Sequence, residues 1–356
     1  MMSKDSGTTA IPQADKWTRE QIDAWPVATA GLPVRVAHAA QRNGFATVGA
    51  VRQAGTEAIR CWTAIGPQSL RALNRFWTRC HKLEQGQTCF ATVQAWLEEL
   101  AGPADADVLA RRYGFYPTVV PGARGGQTLQ AVGTELQVSR ERIRQRLARA
   151  YDRLNTELGR ATAAPFLSRM EACVRRADGV CTVAGAISAT QGDPGWSGYR
   201  VDGVWRLLSK LDDAPVRYVR DCFTTMPADW LAMVDRVVAA QASHVSTPVA
   251  RSVMADALAA AGYPWEAGGL QRWLDHDPRL WSLRDGRYLW RAHGCGALLD
   301  EYAATTTGSV HFREISRALN GCLTPPQQIG PGRVLRTLRR HAAWQMQAPG
   351  WYQRGQ

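Results

Sequence analysis

"TLQAVGTELQVSRERIRQRLARAYDRL", residues 128–154, decides how this chain is read. Leu129, Val132 and Leu136 recur at helical spacing, Gln137-Val138 breaks the run, and a second apolar stripe follows in Ile143, Leu147, Ala150, Tyr151 and Leu154. Ser139 stands at the break, where its hydroxyl can take up an orphaned backbone N–H of the second helix. The pattern predicts a helix-turn-helix whose second helix carries arginine at 140, 142, 144 and 146. Such a unit lays the first turns of its second helix in the major groove of a duplex. Arg140, Glu141, Arg144 and Gln145 lie off the apolar stripe. Arginine matches guanine bidentately, glutamine matches adenine and glutamate accepts from cytosine N4, so these four are expected at base edges. Ser139 and Arg142 are expected on the backbone.

The charge of the whole chain agrees with an acidic partner. At 356 residues it is long enough for several domains, and its formal charge is +12. Residues 111–160 hold ten arginines against Glu135, Glu141, Asp152 and Glu157, which is half the excess in a short stretch. After Glu314 come six arginines and no acid. Two separated basic zones predict two contact regions. No apolar run approaches the roughly 18 residues of a membrane span, and MMSKDSGTTA is not a signal peptide. A cytoplasmic, nucleoid-associated protein with no membrane contact is expected. Its eight cysteines, without C-x-x-C spacing, are then reduced and mostly buried.

The quoted stretch resembles the fourth conserved region of bacterial primary sigma factors, and the likeness reaches upstream through "WLEELAGPADADVLARRYGF" (96–115), covering about 90–158. The resemblance implies that Arg140, Glu141, Arg144 and Gln145 contact promoter bases and that RNA polymerase or another protein subunit is a further partner. Arg146 and Leu147 depart from the family pattern, which has an apolar residue and an acid there, and these positions bear on polymerase contact rather than on DNA. Nothing in the chain matches the aromatic, strand-melting region, so a complete sigma factor is not expected.

Upstream, "LPVRVAHAAQRNGFATVGAVRQAGTEAIRCWTAIGPQSLRALNRFW" (32–77) reads as a helix over 33–42, a turn at Asn43-Gly44, a helix from Val48, and a third opened by "IGPQSL". A glycine turn feeding a helix N-terminus offers backbone N–H groups to phosphate. The stretch resembles the C-terminal domain of the RNA polymerase alpha subunit. That implies a minor-groove arginine at Arg35, with His38 beside it, and a phosphate-contacting hairpin at Gly66, Gln68 and Ser69. His38 replaces the family's asparagine and Gln68 its lysine, which weakens the expected grip on DNA.

Beyond residue 160 three related units of about 65 residues follow. "GGLQRWLDHDPRLWSLRDGRYLW" (268–290) and "GPGRVLRTLRRHAAWQMQAPGWYQ" (330–353) align on Gly286 and Gly350, which pairs Arg272 with Arg336, Leu274 with Leu338 and Tyr288 with Tyr352. Each predicts a helix and two short strands around a turn, the plan of a winged helix. The first copy is the least clear, with "VDGVWRLLSKL" as third helix and "VRYVRDCFT" as wing. Arg333, Arg336 and Arg340 are expected to share a phosphate-facing side of the third copy. Asp275, His276 and Asp277 take the places of Arg339, Arg340 and His341 in the second, where carboxylates would repel phosphate.

Catalysis finds no motif. "DHD" (275–277) sends consecutive side chains apart, "GARGGQ" (122–127) lacks a phosphate-loop lysine, and no H-x-x-x-H or G-x-S-x-G occurs. No enzyme, metal or cofactor is expected. The fold class expected is mainly α and multi-domain: a tail (1–27), a helix-hairpin-helix (28–86), a helix-turn-helix (87–160) and tandem winged helices with short β-wings (161–228, 229–292, 293–356). The function expected is a bacterial transcription regulator that binds specific sequences of double-stranded DNA. The alternative is a non-catalytic DNA-recognition or scaffold subunit of a larger defence or mobile-element complex.

Overall fold

The computed structural model describes residues 16–116, 126–196, 198–243, 247–325 and 327–355. Most of "GARGGQ" lies outside them. The chain divides into two compact units, one of residues up to 173 with 183–217, the other of 174–182 with the chain from 218 onward. It is mainly helical with three small antiparallel sheets among the described residues.

In the first unit α1 (Arg19–Asp23), α2 (Val34–Arg42), α3 (Val48–Arg60) and α4 (Pro67–Glu84) enclose a core of Ile22, Trp25, Val36, Val51, Leu73 and Phe76. Thr18 and Thr47 cap α1 and α3 by accepting from the backbone N–H three residues on, while Gly66-Pro67 starts α4 with proline at its first turn. The expected tail over 1–27 is therefore too long, because Ile22, Trp25 and Val27 are needed to fill this core. Next come α5 (Val93–Ala101), α6 (Pro103–Tyr113), α7 (Leu129–Glu135), α8 (Arg140–Leu154) and α9 (Glu157–Arg176). The boundary expected at 160 falls inside α9. Leu158 and Ala161 of α9 close the N-terminal core, and the Glu157 N–H donates to the Thr29 carbonyl at 2.8 Å, so apolar burial runs across that point.

Three times thereafter the chain repeats one order: helix, strand, two helices, two strands. The first copy is α9, β1 (Val180–Thr182), α10 (Val183–Ala189), α11 (Val201–Leu208), β2 (Arg217–Val219) and β3 (Cys222–Thr224). The second is α12 (Ala228–Ser243), β4 (Val249–Ala250), α13 (Arg251–Ala260), α14 (Ala267–Asp275), β5 (Leu280–Ser282) and β6 (Arg287–Trp290). The third is α15 (Gly296–Thr305), β7 (Ser309–His311), α16 (Phe312–Cys322), α17 (Pro331–Leu338), β8 (Trp344–Ala348) and β9 (Trp351–Arg354). Each sheet has the same strand order, with the third strand of the copy between its first and second. Tyr288 pairs with Ser282 as Tyr352 pairs with Met346, and both tyrosines are buried. Gly286 and Gly350 turn the second and third wings with φ of 84° and 83°, whereas the first uses Arg220 and Asp221 at 53° and 58°.

Candidate nucleic-acid interface

The helix-turn-helix owes its geometry to a few small-scale contacts. Thr128 caps α7 and Ser139 caps α8, the latter accepting from the Arg142 N–H at 3.1 Å. Between them the Val138 N–H donates to the Gly133 carbonyl, and Gln137 takes a left-handed φ of 55°. A Cβ on Gly133 would stand 2.7 Å from the Val138 carbonyl oxygen, so the turn folds this tightly only over a glycine. Val132, Ile143, Leu147, Ala150 and Leu154 are buried, and this fixes which face of α8 points outward.

The outward face holds Arg140, Glu141, Arg142, Arg144 and Gln145, all exposed, with Ser139 exposed at the helix start. Among the described residues Arg140 and Arg142 have no ion-pair partner. Glu141 is gripped by Arg144, whose Nε and Nη2 donate to its two carboxylate oxygens at 2.8 and 2.7 Å, and Gln145 donates to it at 3.3 Å. Those hydrogen bonds from Arg144 hold the Glu141 carboxyl below its ordinary pKa. The four base-facing candidates thus lie on the first two turns of one helix, and three of them, Glu141, Arg144 and Gln145, form one hydrogen-bonded set. An exposed pair of this kind is screened by solvent and contributes little, so a base edge can displace it readily.

The remaining arginines of α8 serve the fold. Arg146 donates to Asp105 of α6 at 2.7 Å and to the Ala104 carbonyl, while Arg153 and Arg149 stand 3.7 and 4.0 Å from the same carboxylate. Asp105 is 8% exposed, and a buried carboxylate of this kind persists only when paired. Arg111 is likewise held by Asp107 and Glu135. Asp105 carries no local signal in the sequence, because its partner lies 41 residues away. The departure at Arg146 therefore has an internal cause.

The N-terminal candidates scatter. Arg35 and His38 are exposed on α2, but His38 also lines a groove of about 420 Å³ with Gln41, Leu100, Asp152 and Arg153. Gln68 is exposed at the start of α4, where no side chain caps the helix after Gly66. Ser69, expected at a phosphate, is 7% exposed, since its position faces the module's interior.

Among the third helices of the repeats, α11 is buried along most of its length and packs on α6; a Cβ on its Gly203 would meet the Tyr113 carbonyl at 2.6 Å. In α14, Arg272 donates to the Val180 and Ala177 carbonyls and pairs with Asp178 at 2.9 Å. In α17 the three arginines expected to share a face are all exposed, Arg333 and Arg336 on the helix and Arg340 two residues past its end. Arg333 also donates to the Arg291 carbonyl at 2.7 Å and lies over the Trp281 ring. Arg339 is exposed as well. The acids expected to repel phosphate in the second copy are engaged within the fold. Asp277 is 1% exposed and binds Arg220 at 3.1 Å and Arg279 at 2.6 Å, and Asp275 accepts from the Tyr288 hydroxyl at 3.1 Å.

With this geometry in place, residues 96–155 match the family described as Sigma-70, region 4. That is a DNA-binding helix-turn-helix domain, and the match spans α5 through α8, whose outward face carries the exposed set of α8. No curated protein and no solved structure matches the chain. Among the described residues no helix is long and apolar enough to cross a membrane.

Proposed function

We propose that this protein is a non-catalytic transcription regulator that reads a specific DNA sequence with the first two turns of α8 in the major groove. One observation carries the reading: Arg140, Glu141, Arg144 and Gln145 are exposed together on the outward face of a helix within the segment matching Sigma-70, region 4. Ser139 and Arg142 then meet the phosphates that flank the bases read, and Arg35 of α2 serves a neighbouring minor groove. RNA polymerase is the protein partner this reading implies. Site selection from random duplexes supplies the test. Arg140→Ala or Arg144→Ala is expected to cost on the order of 1–3 kcal/mol at the selected site and to relax base preference there. An equal loss at every sequence means that α8 touches only phosphate.

A second reading is favoured by the burial of α11 and α14. Helices in the position that a winged helix presents to DNA are here consumed in packing, which suits a recognition or scaffold subunit of a larger assembly. The native mass of the protein in extracts of its host separates the two: a stable complex that survives nuclease treatment favours the subunit.

A further inference from the structure

The second and third repeats are joined along a strand edge. β5 lies at the outside of its sheet, and residues 322–324 run antiparallel along it. The Thr324 N–H donates to the Ser282 carbonyl and the Arg284 N–H to the Cys322 carbonyl, both at 2.9 Å, while Leu283 bridges Leu323. The Ser282 N–H is taken by the Gln327 side chain at 2.8 Å. Covered in this way, Trp281 and Ser282 are 2% exposed and Leu283 is 4% exposed.

β8 is the corresponding edge of the third repeat, and there the cover is missing among the described residues. Met346 pairs with Tyr352 as Ser282 pairs with Tyr288, so it holds the register position whose N–H and C=O face away from the sheet. Gln345, Met346, Gln347 and Ala348 are all exposed, Met346 to 61%, and Trp351 on the adjoining strand to 43%. Sheets protect such edges with lysine, proline or charge, because unpaired backbone groups template another strand. β8, reading WQMQA, has no lysine, proline or charge within it, and its one bulge lies past Met346, between Met346 and Ala348, which leaves the register through Met346 regular.

We propose that β8 is a docking edge for an extended segment of a different protein, flanked by acidic residues, which adds antiparallel as residues 322–324 add to β5. Strand addition of this kind takes affinity from main-chain hydrogen bonds and specificity from alternate side chains. Two observations choose the occupant. The chain after Glu314 carries six arginines and no acid, with Arg336, Arg339 and Arg340 exposed, so it attracts carboxylates and repels its own copy. A second copy also has its own 322–324 segment already committed to β5. The proposal is independent of whether α8 reads bases.

The test uses the full chain and a labelled peptide of residues 320–328, with serine for the cysteine and two aspartates at each end. Fluorescence anisotropy is expected to show saturable binding, and amide exchange is expected to slow at Gln345–Ala348 alone. Methylating the peptide's threonine nitrogen removes the bond equivalent to that from the Thr324 N–H to Ser282. Binding is then expected to weaken about tenfold or more, since a carbonyl is buried without a donor. Met346→Pro should do the same from the protein side, and the methylated peptide keeps the test sound if that variant misfolds. The proposal is overturned if the parent peptide does not bind saturably, if methylation leaves affinity unchanged, or if protection appears away from β8. It is equally overturned if protein concentration alone protects β8, which assigns the edge to a second copy, or if a DNA duplex does so, which assigns it to nucleic acid.

Discussion

α14 and α17 hold the same place in successive repeats, align residue for residue, and have opposite surroundings. In α14 the first glycines, Gly268 and Gly269, leave room for Asp178, whose carbonyl would stand 2.2 Å from a Cβ on Gly269. Arg272 then spends its donors on two main-chain carbonyls and that same aspartate. In α17 a Cβ on Gly332 would meet nothing within 4 Å, and Arg336, aligned with Arg272, is exposed, with no ion-pair partner among the described residues. An arginine on a helix is not by itself a phosphate ligand. Main-chain carbonyls and buried carboxylates compete for it, and the neighbouring repeat decides which prevails.

The largest difference between the two repeats is expected at their charged residues. Asp277→Ala leaves Arg220 and Arg279 without their shared buried acid and is expected to lower stability by about 3 kcal/mol in urea denaturation. Arg339→Ala, two residues before the aligned His341, should change stability by less than about 0.5 kcal/mol. Near-equal losses would mean that the third repeat is as tightly packed as the second.

The glycines sharpen the contrast by a smaller amount. Gly269→Ala drives a methyl into the Asp178 carbonyl and the Trp265 ring, and thermal unfolding should register a loss on the order of 1–3 kcal/mol. Gly332→Ala meets open space and should stabilise by a few tenths to about 1 kcal/mol through helix propensity. A loss at Gly332 would reveal a close neighbour on α17 like that on α14.

The smallest effect on stability comes from neutralising Arg336, Arg339 and Arg340 together. Melting should be nearly unchanged. If these cations reach phosphate, the plot of log affinity against log salt should become shallower by about 0.9 for each phosphate no longer neutralised, up to about 2.7. An unchanged slope assigns them to protein contact beside β8.

Much of this was legible in the sequence because it is local. The break at Gln137-Val138, the cap at Ser139 and the apolar stripe of α8 depend on residues a few positions apart, and their geometry follows from backbone and side-chain preferences alone. The second and third wings announced themselves through Gly286 and Gly350. The first wing was faint because Arg220 and Asp221 occupy left-handed positions that sequence patterns assign to glycine or asparagine. What stayed hidden depends on distant partners: Arg146 on Asp105, Arg272 on Val180 and Ala177, Asp277 on Arg220, Arg333 on Arg291.

A mainly helical chain, an apolar stripe that α8 turns inward and two zones crowded with arginine all follow from the order of the residues alone. These are consequences of period, capping and composition, which act within a turn or two of chain. Which arginines stay free of internal partners depends on how distant segments pack. Of those on α8, Arg146 is drawn to a buried acid while Arg140 and Arg142 stay in solvent; of the repeats' third helices, α17 keeps an exposed cation where α14 is covered. The reason is that a charge must find its counterpart wherever folding places one, and burial makes an internal acid or carbonyl a stronger claimant than water.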